Sequence, residues 1–325
     1  MSIGRSTENF ILETTKANKI VSSQCIQTLW SGYGELLRVF VEGTEFKSVI
    51  LKHIQFSDQK KHPRGWATDI SHQRKLKSYQ VECNWYQNHS QMVPQSSKIP
   101  KYFASHQSDN EIMIMLEDLD DSGYNLRLSN IDDQRFKSCL KWLANFHAFF
   151  LNHNIDDLWE TGTYWHLKTR PDELNALSDI ALKNKAVEID RILNNCPYKT
   201  LVHGDAKLAN FCFHNKKELV AAVDFQYVGS GCGMKDVAYF IGSCIDEQTI
   251  HEKETEILNL YFNELKDALS IHQPTIDSKT VLNNWRELYP FAWVDFHRFL
   301  KGWCPDHWKI NSYSERLKEE VLNNL

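Results

Sequence analysis

Nowhere in the 325 residues does an apolar run approach membrane-spanning length, and residues 1–23 hold no apolar stretch of the kind that forms a signal-peptide core. The expectation is a cytoplasmic protein. An excess of basic charge is also missing. Lys and Arg total 37 against 42 Asp and Glu, a formal net charge of −5, which argues against nucleic-acid binding through a broad basic face and leaves only local patches such as Lys60, Lys61 and Arg64. The eight cysteines form no CxxC pair and several fall on apolar stripes. They read as reduced core thiols, not as a disulfide framework or a zinc site. Internal repeats and low-complexity tracts are absent, and the polar stretch from Gln87 to Ser97 reads as a loop. The glycines around Ser230 make no GxSxG nucleophile elbow, because the residue two before it is Val228.

What the chain does contain is Leu201-Val-His-Gly-Asp-Ala-Lys-Leu-Ala-Asn210, followed by Val223-Asp-Phe-Gln226. Asp205 and Asn210 stand in a DxxxxN arrangement. The apolar strand Phe211 to Phe213 leads through the turn His214-Asn-Lys-Lys217 into a second strand ending at Asp224, a hairpin with a polar group at each end. A phosphoryl donor brings several negative charges, so its site needs a divalent metal on oxygen ligands and a group that orients the attacking hydroxyl. Asp224 and Asn210 can supply the metal ligands, Asp205 can accept the hydroxyl proton, and Lys207 can reach toward the transferred group. The alternative for each residue alone is a polar turn or a strand-end cap.

With these motifs the chain resembles the choline kinase and aminoglycoside phosphotransferase superfamily, and within it the ecdysteroid-kinase-like branch, whose fold is related to that of protein kinases. The catalytic loop HGDxxxxN matches His203, Gly204, Asp205 and Asn210, and the metal-binding DF pair matches Asp224 and Phe225. The resemblance implies a bilobal α+β protein with a small antiparallel-sheet lobe (residues 1–119) and a larger, mainly helical lobe (120–325). It implies Asp205 as the base, Asn210 and Asp224 as Mg²⁺ ligands, ATP as donor and a small-molecule hydroxyl as acceptor, with no nucleic acid, membrane or obligate protein partner. Gln226 stands where protein kinases have Gly and no activation segment ends in APE, which favours a small-molecule kinase. Lys207 matches Ser/Thr protein kinases while many family members lack a lysine there, so the substrate class stays open. A noncatalytic, scaffolding pseudokinase remains the reading from a different class.

An ATP-holding lobe must then precede the loop. Glu35 to Val41 and Phe46 to Ile54 read as strands joined by Glu42-Gly-Thr-Glu45. Alternation sets Lys52 on the face of Ile50 and Ile54, an unfavourable place for an ammonium unless a phosphate or carboxylate meets it. Ser71 to Ser90 has helical spacing, with Leu76, Tyr79, Cys83 and Tyr86 on one side and Glu82 at the border of that stripe, so Glu82 is paired with Lys52. Leu29-Trp-Ser-Gly-Tyr-Gly34 lacks a full GxGxxG. Gly32 and Gly34 would let backbone N–H groups approach phosphates, or would suit any tight turn. Ile112 to Leu116 resembles a hinge strand, after which the backbone from Glu117 to Leu119 would meet adenine.

In the second half, Asp132 caps a helix carrying Phe136, Leu140, Leu143, His147 and Phe150, with His147 expected to pack in the core. Asp236 falls at the start of a buried helix, where the resemblance implies that it holds the catalytic-loop backbone. Trp285, Tyr289, Trp293 and Phe296 recur at helical spacing, with Trp303, Trp308, Asp295 and Asp306 nearby. They are either core packing or a surface that encloses a quaternary ammonium such as choline, or stacks on a steroid-like alcohol. Tyr164-Trp-His166 with Arg170 is a second possible contact region; an aminoglycoside is the third acceptor class the resemblance allows.

Overall fold

The computed structural model describes residues 4–29, 32–56 and 69–325. Trp30 and Ser31, and the basic patch at Lys60, Lys61 and Arg64, lie outside them. The first element is helix α1 (Arg5–Thr15), followed by strands β1 (Lys19–Thr28), β2 (Gly34–Glu42) and β3 (Ser48–Gln55), helix α2 (Asp69–Asn84), and strands β4 (Tyr102–Gln107) and β5 (Glu111–Glu117). These strands form one antiparallel sheet in the order β1-β2-β3-β5-β4. Strand alternation divides the sheet's two faces. Leu37, Val39, Val41, Val49, Leu51, Met113 and Met115 pack with Ile11 of α1, while Ile54, Ile112, Ile114 and Leu116 pack with Tyr79 and Cys83 of α2 and with Tyr86 just beyond it.

The expected strands at 35–41 and 46–54 are present within a residue or two of those bounds, and β5 contains the expected run. The segment expected to be a loop at 87–97 is instead wound into short helical turns. Trp85–His89 is a π-turn continuing α2, and Ser90–Met92 and Gln95–Ser97 are 3₁₀ turns. The π-turn rotates Trp85 inward, where it is fully buried and stacks on Phe225 at 4.9 Å.

Beyond the sheet the chain is mostly helical: α3 (Asp133–Phe149), α4 (Pro171–Ala176), α5 (Ile180–Asn194), α6 (Met234–Cys244), α7 (Glu247–His272), α8 (Ser278–Trp303) and α9 (Ser312–Asn323). The fold is therefore α+β, an antiparallel sheet followed by a helical remainder. Asp132 caps α3 by accepting from the Arg135 N–H at 2.8 Å, and its apolar stripe packs against α7, as the expected core helix requires. Two short hairpin-like pairs interrupt the helices: β6 (Thr200–Val202) with β9 (Gly229–Gly231), and β7 (Phe211–Phe213) with β8 (Val220–Ala222). Between these pairs lie the loop 203–210 and the turn 223–228, which together carry most of the polar residues discussed below. All eight cysteines are free thiols, five of them buried. Among the described residues no helix is long and apolar enough to cross a membrane.

Candidate functional site

The loop 203–210 is fixed by its backbone before any side chain acts. Asp236, fully buried in the first turn of α6, accepts from the His203 N–H at 2.5 Å and the Gly204 N–H at 2.9 Å, and its Oδ2 also faces His147 Nε2 at 3.2 Å. His147 is buried in α3 and its Nδ1 lies 2.8 Å from the Tyr261 hydroxyl of α7. His203 donates from Nε2 to the Val223 carbonyl at 3.0 Å and accepts the Asp205 N–H on Nδ1 at 3.2 Å, which selects the Nε2–H tautomer. Gly204 has φ +80, and a Cβ there would meet the Tyr227 carbonyl oxygen at 2.1 Å. Only glycine fits both the backbone conformation and that approach.

On this frame the side chains converge. Asp205 Oδ2 accepts from Lys207 Nζ at 2.9 Å and from Asn210 Nδ2 at 3.0 Å, while its Oδ1 is buried and, among the described residues, has no hydrogen-bond partner. Asp224 follows β8 with φ 70, a left-handed conformation that aspartate adopts more readily than most residues. Its neighbour Phe225 is completely buried between Trp85 of the π-turn and His203, at ring separations of 4.9 and 4.5 Å, and so anchors the turn. Asp224 Oδ1 accepts from Lys52 Nζ at 3.1 Å and Gln226 Nε2 at 2.6 Å; among the described residues no donor reaches its Oδ2.

Lys52 on β3 also donates to Glu82 Oε2 on α2 at 2.6 Å, so one ammonium spans the sheet, α2 and the turn after β8. The pair expected from strand alternation and helical spacing is present. Burial pushes the Glu82 carboxyl up, against the pull of the Lys52 ammonium. Burial would likewise raise Asp224, but Lys52, Lys207 and Lys75 more than offset it and hold that carboxyl well below the usual carboxylate range.

Two residues of this network escaped sequence reasoning. Lys75 donates to Gln226 Oε1 at 2.7 Å, and Ser78 donates to the same oxygen at 3.3 Å, so Gln226 ties α2 to Asp224. The signal was available, since Lys75 and Ser78 share a helix face with Glu82 two turns and one turn on. Burial lowers the Lys75 ammonium.

The remaining expected residues divide by position. Gly34 has φ +133 and lies so close to β3 that a Cβ would meet the His53 carbonyl oxygen at 2.0 Å, whereas at Gly32, with φ +75, it would meet no described residue within 4 Å. Both acidic side chains between Glu117, which ends β5, and Leu119 are taken up structurally. Glu117 accepts from Lys98 Nζ at 2.6 Å, and buried Asp118 accepts from Arg38 Nε at 2.6 Å and Ser48 Oγ at 2.7 Å. The Glu117 N–H is bonded to the Lys101 carbonyl, but among the described residues the Leu119 N–H has no acceptor.

A family model for the ecdysteroid kinase-like family matches residues 35–157 and 161–273, which include every residue of this network. The chain belongs to the ecdysteroid kinase-like family. No curated protein sequence matches this family member closely enough to count. Its fold is similar to that of an amicoumacin kinase solved with AMP-PNP and Ca²⁺, at 12% identity and a TM-score of 0.57 over 98% of this chain and 93% of that one. It is also similar to the choline kinase LicA of Streptococcus pneumoniae, at 12% identity and a TM-score of 0.50 over 98% and 100% of the two chains. At such identities the likeness is one of fold. The ecdysteroid kinase-like chain thus shares its fold with these two kinases.

The aromatic residues expected near an acceptor are mostly core. Trp285, Tyr289, Trp293 and Phe296 are all buried along α8, whose interior Pro290 does not interrupt it. Asp295 is fully enclosed, with Arg298 Nη2 at 2.9 Å, Trp165 Nε1 at 3.1 Å and Lys235 Nζ at 3.8 Å, while Asp306 is exposed. In the second region, Arg170 donates to the Tyr164 carbonyl and pairs with Glu173 at 2.9 Å, and the Tyr164 N–H donates to the Gly204 carbonyl at 3.2 Å.

Proposed function

We propose that this protein transfers the γ-phosphate of ATP, with Mg²⁺, to a hydroxyl of a small molecule, with Asp205 as the base. The observation that carries the reading is the buried, unpartnered Oδ1 of Asp205, whose other oxygen is held by Lys207 and Asn210. A buried carboxylate oxygen without a donor is unfavourable unless a donor arrives, and an acceptor hydroxyl is such a donor. Lys207 neutralises charge next to it.

The donor set also suits a hard cation. Asp224 presents Oδ2 and Asn210 presents its side-chain carbonyl oxygen, since its Nδ2 is spent on Asp205. Among the described residues no group of three or more His, Cys, Asp or Glu encloses a metal. Two oxygen ligands fit Mg²⁺, which completes its shell with phosphate oxygens and water and would supply charge neutralisation at the transferred group. Lys52, positioned by Glu82, faces the α and β phosphates, Gly32 and Gly34 bound the phosphate-covering turn, and the backbone from Glu117 to Leu119 takes the adenine, with the Leu119 N–H as its free donor. In this reading residues 1–119 form the nucleotide lobe and 120–325 the catalytic and acceptor lobe.

The test is MgATP-dependent ADP release across choline, ethanolamine, sugars, aminoglycosides and steroid alcohols, with two variants measured alongside. Asp205→Asn should lower turnover at least a hundredfold and leave MgATP affinity within about threefold, as expected for loss of a base. Asp224→Ala should weaken MgATP binding itself. Full activity in Asp205→Asn would overturn the assignment of the base, and a chain that releases no ADP and that calorimetry finds unable to bind MgATP would favour a scaffold.

A further inference from the structure

The segment after α8 brings Lys309 back toward the catalytic loop. Its ammonium lies 4.9 Å from the ring centre of Tyr239 on α6, 5.6 Å from that of Phe296 on α8, and 5.4 Å from that of Trp308. Three ring faces around one cation form the kind of seat that recognises an ammonium head group. No carboxylate lies within ion-pair distance of Lys309 among the described residues, so the rings are its partners. Burial lowers this ammonium, to about 8, while the charge of Asp205 raises it and that of Lys207 lowers it. The Tyr239 ring lies 5.6 Å from that of Tyr164, whose backbone N–H donates to the carbonyl of Gly204, the residue before Asp205, at 3.2 Å. The seat therefore adjoins the group to which the reacting hydroxyl is assigned.

An acceptor that carried its own ammonium into this seat would compete with Lys309 for those ring faces. The rings are occupied by Lys309, and the acid that sequence placed nearby, Asp295, is sealed in the core by Arg298 and Lys235. We propose that Lys309 is a built-in occupant of the aromatic seat, and that the acceptor is a hydroxyl compound without a cationic head group, uncharged or anionic. The inference rests on the assignment of Asp205 as the base only for the direction in which the hydroxyl points. The rejection of cations follows from Lys309 itself, which blocks the seat sterically and repels like charge.

The pair of probes that isolates charge is choline and its uncharged carbon isostere, 3,3-dimethylbutan-1-ol, with dissociation constants measured by ligand-observed NMR on the full chain. The native protein should bind choline at least tenfold more weakly than the isostere. Lys309→Ala, which vacates the seat, should shift that ratio at least tenfold toward choline, whereas Lys309→Arg, which keeps a cation there, should retain the native ratio. MgATP affinity should stay within about twofold in all three. A native protein that binds choline as tightly as the isostere, a ratio unmoved by Lys309→Ala, or no binding of either probe to that variant would each overturn the proposal. Turnover and MgATP binding are scored separately, so a shifted ratio in a protein that releases no ADP would sink the kinase reading and leave the seat standing.

Discussion

The Lys52 ammonium lies 3.1 Å from Oδ1 of Asp224, a residue 172 positions away, while its other bond is to Glu82. Three elements from different parts of the chain are thereby joined through a single side chain. Burial alone would lower Lys52, but Asp224 and Glu82 more than offset it and raise its pKa, so the ammonium stays charged at neutral pH. The two carboxylates do not share it equally. Glu82 is almost fully enclosed, whereas Asp224 is about a third exposed and keeps one oxygen free. That asymmetry is what a positioning residue and a ligand-facing residue require of a common partner.

Because Lys52 and Glu82 are buried against each other, breaking the pair from one side should cost more than replacing both. Lys52→Met leaves an enclosed carboxylate and should lower unfolding free energy by about 3 kcal/mol, the range for one-sided loss of a buried pair. The double variant Lys52→Met with Glu82→Gln should recover at least about 1 kcal/mol of that loss, although MgATP affinity remains reduced in both. Urea unfolding of the four proteins in the cycle reads this directly. Additive losses would mean that the two side chains are independent in solution.

The parts of this site that could be read in the sequence are those whose signal is local. HGDxxxxN, the DF pair and the alternation that turned Lys52 inward each lie within a few residues. The helical register of Glu82 then brought the pairing within reach even across the long insert that follows β3. Non-local features left no such trace. Strand β1 went unseen because it is an edge strand, exposed along most of its length, and its sequence Lys-Ile-Val-Ser-Ser-Gln-Cys-Ile-Gln-Thr shows no apolar face. Lys309 sits against rings from α6 and α8 and from its own neighbour, a meeting that only the folded chain creates. Trp85 and Gln226 were visible as residues, but the π-turn that seats one and the bonds that join the other to α2 depend on tertiary packing.

Glycine at 204 and at 32 should behave differently despite similar φ values of +80 and +75. Gly204→Ala adds a methyl group 2.1 Å from the Tyr227 carbonyl oxygen, and to left-handed strain of about 1–2 kcal/mol it adds a clash with backbone that cannot move alone. Loss of both stability and turnover is expected, with a lowered midpoint in thermal unfolding. Gly32→Ala meets no described residue within 4 Å, so only the strain of about 1 kcal/mol applies, and any larger effect should appear in nucleotide affinity. Equal thermal shifts for the two variants would contradict the close approach at Gly204.

Acid should weaken the fold well before most carboxylates titrate, through two buried histidines. Burial lowers His297 to about 4, with Glu315 pulling it up and Lys301 pushing it down; burial also lowers His166 to about 4, opposed by Asp295 and reinforced by Lys235. Both are depressed below the unfolded value of about 6.5, so the unfolded chain takes up these protons first. Their contribution is complete above that value and is lost as pH falls toward the folded one, at up to about 1.4 kcal/mol per pH unit for each imidazole. Asp179 and Glu315, held down to about 2, act in the same direction but at lower pH. The Glu82 carboxyl, pushed up to about 7, binds its proton in the folded protein over the same interval and offsets about one imidazole. Guanidinium unfolding at pH 6.5, 5.75 and 5 should therefore show a net fall in stability, and His297→Gln should remove most of the slope. A stability that is level over this interval, or a slope indifferent to His297→Gln, would mean that the imidazoles are already charged in the folded protein.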